Sequence, residues 1–525
     1  MCGIAGILNF QTDDKVDEQL LVSLQNDLYN RGPDNKGLKI LNNGCLGFVH
    51  TRLSIIDLTK YGDQPLTCSE GRVTITFNGE IYNYKELKEI LIENNYTFKS
   101  NSDTEVILNY YKFKGIDGFN DLRGMYAFAI WDKKINKLFL ARDPNGIKPL
   151  YYYKDNKKFC FSSQFKSIYK LPFIEKKISK KSEFLYFLWG NIPKEYTLQE
   201  NIFSLAPASI LEIDQNNKEK SKNHSIQINF SEVEKNLETI IKQTCEYHSV
   251  SDVPISIFLS SGLDSSIILY YLNKINNLNK NLCALTIGFE SFEGSNLDEV
   301  KLAKKLTSEL KVEHKVKIFK RDELLESLPK FFEAMDLPTT DGYNTWLISD
   351  FAKQNNFKVS LSGVGGDEIF YGYEFYNQLD NFYRYKKYLP NWILNKILKT
   401  FNLNNQKVNY LTNYANSIEM MFLLKRCANV FENLKDSYDA EIISKYIDEY
   451  LLENRNFQPI NNQDKLVALD EKYYLVSRLL RDIDWASMAH SLEIRTPFVD
   501  SFFKIQIKKL QAFKKKQVLK FLTKK

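Results

Sequence analysis

The sequence has no long hydrophobic run and no segment with the order of a secretion signal. None of its apolar stretches approaches the roughly 18 residues that a membrane-spanning helix requires. The N-terminus also lacks a basic segment followed by an apolar one. We therefore expect a cytoplasmic protein with no membrane partner.

Cysteine is scarce and is not arranged for a structural role. The chain has seven cysteines in 525 residues, and no two of them form a Cys-x-x-Cys pair. A disulfide framework needs paired cysteines, and a thiolate zinc site needs closely spaced ones. The sequence argues against both, so we expect reduced thiols.

A strong excess of one charge is also missing. The formal net charge is +6 over 525 residues, and no platform of aromatic and arginine residues accompanies the lysines near the C-terminus. Nucleic-acid binding needs such a surface. We expect small-molecule substrates and no nucleic-acid partner.

The composition is that of a globular protein, and the length predicts more than one domain. Hydrophobic residues make up 43% of the 525 residues and charged residues 26%, which are ordinary values for a folded chain. A single core rarely extends over this length. We therefore predict two large domains.

Two patterns of secondary structure divide the chain. The first part is dominated by short β segments, which lie at 73–77, 126–131, 137–141 and 158–162. Helices are predicted there at 18–29 and 103–114. Asn78-Gly79 and Asn145-Gly146 are predicted as turns. From residue 254, strands alternate with helices, which indicates βαβ units on a parallel sheet.

A polar stretch separates the two patterns. Residues 214–231 have no apolar period, which favours a surface hairpin or an interdomain linker. We predict a first domain at 1–213, a linker at 214–231 and a second domain at 232–525. The predicted fold class is α+β for the first domain and α/β with a parallel sheet for the second.

Cys2 is a candidate nucleophile if Met1 is removed. The new N-terminus would then carry a thiol and an α-amine on one residue. The amine has an ordinary pKa of about 7.7 to 8.0, so part of it is neutral at physiological pH and can accept the thiol proton. A chance cysteine at the second position is the alternative.

Several further motifs follow Cys2 in a fixed order. They are Arg31-Gly32-Pro33-Asp34, His50-Thr51-Arg52-Leu53-Ser54, Phe77-Asn78-Gly79-Glu80, Ser102-Asp103-Thr104-Glu105 and Ala141-Arg142-Asp143-Pro144. Together with Cys2 they resemble the class II glutamine amidotransferases. The resemblance covers the whole first domain and implies a four-layer αββα N-terminal-nucleophile fold.

The resemblance also implies roles for individual residues. Cys2 would attack glutamine, Arg52 would bind its α-carboxylate and Asp103 its α-ammonium. The Asn78 side chain and the Gly79 backbone N–H would form the oxyanion hole. An ordinary hairpin turn at Asn78-Gly79 is compatible with that role. The remaining glutamine-binding positions implied are Leu53, Ser54, Ile55, Ile56 and Glu80.

A cysteine–histidine pair is the competing mechanism for the first domain. It requires a histidine near the thiol, and His50 is the only histidine before residue 214. The N-terminal amine already supplies a base, so we favour the amine.

The segment Ser260-Ser261-Gly262-Leu263-Asp264-Ser265 lies between a predicted strand and a predicted helix. Free backbone N–H groups at such a junction favour phosphate, but the segment is not a Walker A loop. It resembles the pyrophosphate loop of the ATP pyrophosphatases, with Ser261 in place of a glycine. Asp264 and Asp367, each placed after a predicted strand, would hold Mg²⁺.

The two halves together resemble the glutamine-hydrolysing asparagine synthetases over almost the whole chain. The resemblance implies ATP and Mg²⁺ as cofactors, glutamine and aspartate as substrates, an internal tunnel for ammonia, and a homodimer. The implied ATP-binding residues are Leu259, Ser260, Ser261, Gly262, Asp264, Ser265, Ile287, Ser362, Gly363 and Lys516.

Two departures from the family pattern concern the carboxylate that receives ammonia. Val364 stands where the best-described members have an acid, and Gly342 stands where they have an arginine. Aspartate is the expected acceptor, and another carboxylate such as a sugar uronic acid is the alternative. A catalytically silent glutamine-binding protein would lack Cys2 or Asp264, and an RNA-modifying enzyme would have a basic domain in place of the first. The sequence shows neither.

Overall fold

The structure is a computed structural model that describes residues 1–11, 13–193, 195–223, 236–275, 282–295, 298–386, 388–399, 405–414, 416–455 and 461–509. All seven cysteines are free, as the sequence predicts. Within these ranges, no helix is both long and apolar enough to cross a membrane.

The first part of the chain forms two antiparallel sheets. Its strands are β1 (Gly3–Asn9), β2 (Asn35–Leu41), β3 (Leu46–Arg52), β4 (Leu66–Thr67), β5 (Val73–Ile81), β6 (Gly124–Asp132), β7 (Lys137–Arg142), β8 (Tyr151–Lys154), β9 (Lys158–Ser162), β10 (Ile202–Ser204), β11 (Ser209–Asp214) and β12 (Glu219–Asn223). One sheet has the order β10-β8-β9-β1-β3-β2 and the other β12-β11-β7-β6-β5-β4. Its helices are α1 (Glu18–Asp27), α2 (Tyr84–Glu93), α3 (Asp103–Lys114), α4 (Phe165–Tyr169) and α5 (Lys180–Trp189).

The two sheets and the helices that cover them form four layers, because successive side chains along each strand point to opposite faces of its sheet. Ile4 of β1 and Trp131 of β6 belong to one buried cluster between the two sheets. Ile7, on the opposite face of β1, packs against α1 through Leu21. The outer face of the second sheet is covered in the same way by α2 and α3. This is the αββα arrangement that the sequence predicts.

The second part of the chain is built on a parallel sheet. Its strands are β13 (Ile255–Phe258), β14 (Cys283–Phe289), β15 (Glu313–Phe319), β16 (Val359–Leu361) and β17 (Glu493–Arg495). They lie in the order β15-β14-β13-β16-β17, and every pair is parallel. Helices cover both faces, as a buried parallel sheet requires.

Helices make up most of the remaining second part. They are α6 (Leu237–His248), α7 (Leu263–Asn273), α8 (Glu299–Leu310), α9 (Arg321–Ala334), α10 (Tyr343–Gln354), α11 (Gly366–Phe370), α12 (Glu374–Lys386), α13 (Asn391–Lys399), α14 (Asn405–Tyr414), α15 (Ile418–Arg426), α16 (Phe431–Leu434), α17 (Ala440–Arg455), α18 (Asn462–Asp470), α19 (Arg481–Met488) and α20 (Ser501–Lys509). A π-helical segment, Glu471–Leu480, joins α18 to α19. Helices α12, α14, α15, α17 and α18 share a core with α5 of the first part.

The prediction of a turn at Asn78-Gly79 is wrong. Both residues lie inside β5, where they are paired with Ala127 and Tyr126 of β6. Glycine is needed there for another reason: Gly79 has φ +152°, and a Cβ would collide with the carbonyl oxygen of Met125. The dipeptide is common in turns because glycine tolerates positive φ, which does not itself specify a turn.

The polar stretch 214–231 begins as structure belonging to the first part. Residues 219–223 form β12, which pairs with β11 at the edge of the second sheet. This is a surface hairpin, one of the two interpretations that the sequence left open. Residues 224–231 lie outside the described part of the chain.

Candidate active sites

Cys2 lies at the start of β1, near the middle of the first sheet. Its backbone N–H donates to Asn78 Oδ1 at 2.9 Å. The thiol is buried, and burial raises its pKa, while the positive N-terminus, a hydrogen bond from the Leu53 backbone and the charge of Arg52 lower it. The Cys2 nitrogen, which would become the α-amine if Met1 were removed, is therefore held against the side-chain amide of Asn78.

Asn78 presents an unused hydrogen-bond donor at this site. Its Oδ1 accepts from Cys2, and its Nδ2 is buried without a hydrogen-bond partner in the described structure. A buried amide donor without a partner costs free energy. It suits a site where an oxyanion forms during reaction.

Asp103 and Arg52 differ in the hydrogen bonds that their side chains already make. Asp103 is buried at the start of α3 and accepts from Ile81 N at 3.0 Å, and burial raises its pKa to about 6. Arg52 is already engaged, since its Nη1 donates to Asp63 Oδ1 at 2.7 Å and to Thr59 O at 2.8 Å.

The loop after Arg52 is tied to both parts of the chain. Ser54 N donates to Asp34 Oδ2 at 2.7 Å, and Ile55 O accepts from Asp252 N of the second part at 3.0 Å. Ile56 O accepts from Arg52 at 3.4 Å. The loop that carries the predicted glutamine contacts is therefore fixed partly by the second part.

Glu80 is buried beside the junction of the two parts. Its Oε1 lies 3.4 Å from Arg495 Nη2 on β17. Burial and the nearby Glu493 raise the pKa of Glu80. The sequence offered a glutamine contact for Glu80 and gave no sign of this ion pair.

His50 is not arranged as a general base. It is buried, its Nε2 lies 3.2 Å from the carbonyl oxygen of Phe77, and burial lowers its pKa to about 3. This agrees with the choice of the N-terminal amine over a cysteine–histidine pair.

Arg31, in the first motif after Cys2, links Cys2 to the second part of the chain by hydrogen bonds. Arg31 Nε donates to Cys2 O at 3.1 Å, and its two Nη atoms donate to the Asp484 carboxylate at 2.7 and 3.2 Å. The Met1 amine lies 2.9 Å from Glu493 Oε2, and both groups are fully buried. The sequence does not reveal these contacts, because the partners lie more than 450 residues apart.

A cavity of about 600 Å³ opens at the carboxyl ends of β13, β14 and β16. Most of the predicted ATP-binding residues line it, namely Leu259, Ser260, Gly262, Asp264, Ser265, Ile287, Ser362 and Gly363. Ser261 is exposed and does not line the cavity. Lys516 lies outside the described residues. Ligands bind at this edge of a parallel sheet in many α/β folds.

The two loops of the cavity touch each other through glycines. A Cβ on Gly363 would lie 2.7 Å from Ser265 N, and one on Gly366 would collide with the Asp264 carboxylate. Neither glycine has positive φ, so close approach is the reason for glycine here. The contact brings Asp264 and Asp367 to the same end of the cavity.

These two carboxylates form an acidic pair. Burial and the charge of Asp367 raise the pKa of Asp264 to about 7, and burial also raises the pKa of Asp367. Two buried carboxylates whose pKa values are raised by burial suit a hard divalent cation, because its charge would stabilise their ionised forms. In the described ranges no group of three or more metal-binding side chains occurs.

The two departures noted in the sequence fall around this cavity. Val364 lines it. Gly342 has φ +89° at the N-terminus of α10, and a Cβ there would lie 2.8 Å from Trp485 Cζ2. An arginine does not fit that position. Further residues line the cavity that the sequence did not single out, namely Glu299, Asn344, Thr345, Glu368 and Tyr373.

The chain matches two protein families in succession. Residues 1–224 match the family described as glutamine amidotransferase domain, and residues 236–504 match the family described as asparagine synthase. Among solved structures, it is similar to glutamine phosphoribosylpyrophosphate amidotransferase from B. subtilis complexed with ADP and GMP, at 14% identity and TM-score 0.33, over 69% of this chain and 81% of that one. The family assignment rests on the sequence matches alone.

Curated relatives match over most of the chain. Asparagine synthetase (glutamine-hydrolyzing) 1 of Bacillus subtilis is 31% identical over 522 residues, which cover 95% of this chain and 79% of that protein. Putative asparagine synthetase (glutamine-hydrolyzing) 2 of Methanocaldococcus jannaschii is 35% identical over 400 residues, covering 71% of this chain and 76% of that protein. The chain belongs to the glutamine-hydrolysing asparagine synthetase family and is an ATP-dependent, glutamine-hydrolysing ligase.

Proposed function

We propose that this protein makes asparagine, using Cys2 to release ammonia from glutamine and ATP to activate the β-carboxylate of aspartate. The observation that carries the proposal is the Asn78 Nδ2 donor, buried and without a partner in the described structure, beside Cys2. It supports acyl transfer at the cysteine. The acidic cavity on the same chain supports the second half of the reaction.

In the first half-reaction, the Cys2 amine takes the thiol proton and sulfur attacks the amide carbon of glutamine. Asn78 Nδ2 and Gly79 N–H would donate to the oxygen that becomes negative. Ammonia leaves, and water then releases glutamate from the thioester. Arg52 and Asp103 would hold the two charged ends of glutamine, with Glu80 and residues 53–56 completing the pocket.

In the second half-reaction, the aspartate carboxylate attacks the α-phosphorus of ATP and pyrophosphate leaves. Ammonia then attacks the acyl carbon, and AMP leaves as a much better leaving group than oxide. Asp264 and Asp367 fit Mg²⁺, which would offset phosphate charge. The loops at 259–265 and 362–363, Ile287 and Lys516 would bind the nucleotide. We place the reaction in the cytoplasm, in a homodimer.

Pyrophosphate release with a panel of carboxylates tests the acceptor. The protein is incubated with ATP, magnesium, an ammonium salt and one acid at a time. We expect release with aspartate, because the family relation favours it despite Val364 and Gly342. Release with a uronic acid and none with aspartate would replace this acceptor and leave the glutaminase proposal standing.

Replacing Asn78 with alanine tests the oxyanion hole. We expect kcat for glutamine hydrolysis to fall about 10²- to 10³-fold with little change in KM, because the donor acts mainly in the transition state. Synthesis from ammonium salts should be unchanged. Asn109→Ala removes another buried amide of the same domain and should leave kcat near normal. Equal losses in both variants would contradict the assigned role.

The pH dependence of glutamine use tests Asp103. Its pKa is raised to about 6, and the glutamine ammonium binds only the ionised form. Protonation of the Cys2 amine should lower kcat/KM for glutamine as pH falls below about 8. Below about pH 6, protonation of Asp103 competes with binding and should add a further fall of about tenfold per unit. Asp103→Asn should raise KM and remove this limb of the profile. An unchanged limb in that variant would assign the titration to another group.

A further inference from the structure

Helices α12 and α13 and the connection between them expose an unusual group of aromatic side chains. Tyr388 and Trp392 are each 71% exposed, the highest values among the large hydrophobic side chains described, and Tyr385 is 58% exposed. Ile397, five residues after Trp392 on α13, is 37% exposed and lines the groove beside these helices. These four residues, together with Lys396, form what we name the aromatic-basic surface.

This exposure does not come from loosely packed helices. Phe382 of α12 is 3% exposed, and Leu394 and Leu398 of α13 are 1% and 0% exposed in the helical core. Each helix therefore buries one apolar face and presents a second one outward. A groove of about 180 Å³, lined mainly by apolar side chains that include Leu389, lies between them.

After Asp380, the sequence through these two helices carries charge of one sign. Residues 381–400 contain five cations and no acid, and the cations are Arg384, Lys386, Lys387, Lys396 and Lys399. Lys396 is exposed four residues after Trp392, so the two share a helix face. Arg384 pairs with Asp380 at 2.9 Å, yet its side chain remains 60% exposed.

An anionic partner with an apolar interior matches these features. In a symmetric contact between two copies of the chain, the same cations would face each other, which disfavours self-association. Stacked nucleic-acid bases would use the aromatic rings but not the apolar groove. Tyrosine, tryptophan and lysine together are typical of helices that lie at the boundary between lipid headgroups and acyl chains.

We propose that the aromatic-basic surface binds the headgroup layer of an anionic phospholipid bilayer. Trp392, Tyr385 and Tyr388 would enter the boundary region, and Lys396 would meet the lipid charge. The sequence led us to expect no membrane partner because it lacks a spanning segment, which a surface-bound helix does not need.

Co-sedimentation of the full chain with vesicles tests this proposal. We expect binding to phosphatidylcholine vesicles that contain about one-third phosphatidylglycerol, no binding to pure phosphatidylcholine, and release at high salt. Trp392→Ala and Lys396→Glu should each weaken binding about tenfold. Phe332→Ala, at a site 61% exposed on α9, should bind normally. Unchanged melting temperatures and ammonium-dependent pyrophosphate release would show that the variants fold.

Fluorescence quenching by bromine-labelled phosphatidylglycerol tests whether Trp392 contacts the lipid, and it does so in variants that still bind the vesicles. It should quench tryptophan fluorescence of the unaltered chain, and Trp392→Phe should lose that quenching while still binding. The proposal is overturned by equal binding to both vesicle types, by no binding to either, or by normal binding of Trp392→Ala. Preference for single-stranded RNA, or self-association through this surface on size-exclusion chromatography, would also overturn it.

Discussion

Cys2→Ala should abolish glutamine-dependent synthesis and leave synthesis from ammonium salts intact. The thiol is the only group assigned to attack glutamine, so its loss should lower glutamine-dependent turnover at least about a thousandfold. The ATP cavity contains no part of Cys2, so the second half-reaction should continue when ammonia is supplied. Both rates can be measured as pyrophosphate release on one preparation.

A matched control separates chemistry from packing. Cys68 and Cys2 are each 9% exposed, and Cys68→Ala should retain both activities. If Cys2→Ala lost both activities equally, the proposed division of labour between the two domains would be wrong. Loss in Cys68→Ala as well would point to thiol packing as the cause.

Asp264→Asn should give the opposite pattern. It removes a carboxylate from the acidic pair and leaves the pocket nearly the same size. We expect ATP-dependent pyrophosphate release to fall by at least about 10²-fold, because one of the two carboxylates proposed to hold Mg²⁺ has been lost. Glutaminase activity, measured as glutamate release, should persist because Cys2 and Asn78 are untouched.

A double substitution sharpens this result. If Asp264 and Asp367 hold the same cation, Asp264→Asn combined with Asp367→Asn should cost little more than either change alone. Asp322→Asn, at the exposed start of α9, should leave pyrophosphate release unchanged. Fully additive losses would indicate that the two carboxylates act independently.

Local patterns in the sequence predicted much of the fold. The helix predicted at 103–114 is confirmed as α3 (Asp103–Lys114), where Ser102 caps the first turn by accepting from Thr104 N. Strands β13 to β16 of the parallel sheet were predicted from their alternation with helices, and the topology confirms them. Strand β17 was not predicted. Such signals depend on residues close together in the chain, so the sequence contains them.

Contacts between residues far apart in the chain could not be predicted from the sequence in the same way. Asn78-Gly79 resembles a turn locally, and only the approach of β6 shows why a glycine stands inside a strand. The pairing of Glu80 with Arg495 joins residues from opposite ends of the chain. Nothing in the spacing of either residue indicates its partner.

The structure gives a physical reason for one departure from the family. Gly342 combines positive φ with a close approach to Trp485, so the arginine expected by resemblance is excluded by the fold. At Val364, nothing in the structure explains the exchange of an acid for valine. Acceptor choice therefore needs direct measurement.

The central claim is that nitrogen released at Cys2 is joined to an ATP-activated carboxylate on the same chain. It is tested most directly by incubating the protein with amide-¹⁵N glutamine, aspartate, ATP and magnesium, and analysing the products by mass spectrometry. The account predicts ¹⁵N-labelled asparagine, formed together with equal amounts of AMP and pyrophosphate. Labelled ammonia in solution without labelled asparagine, or ADP in place of AMP, would contradict it.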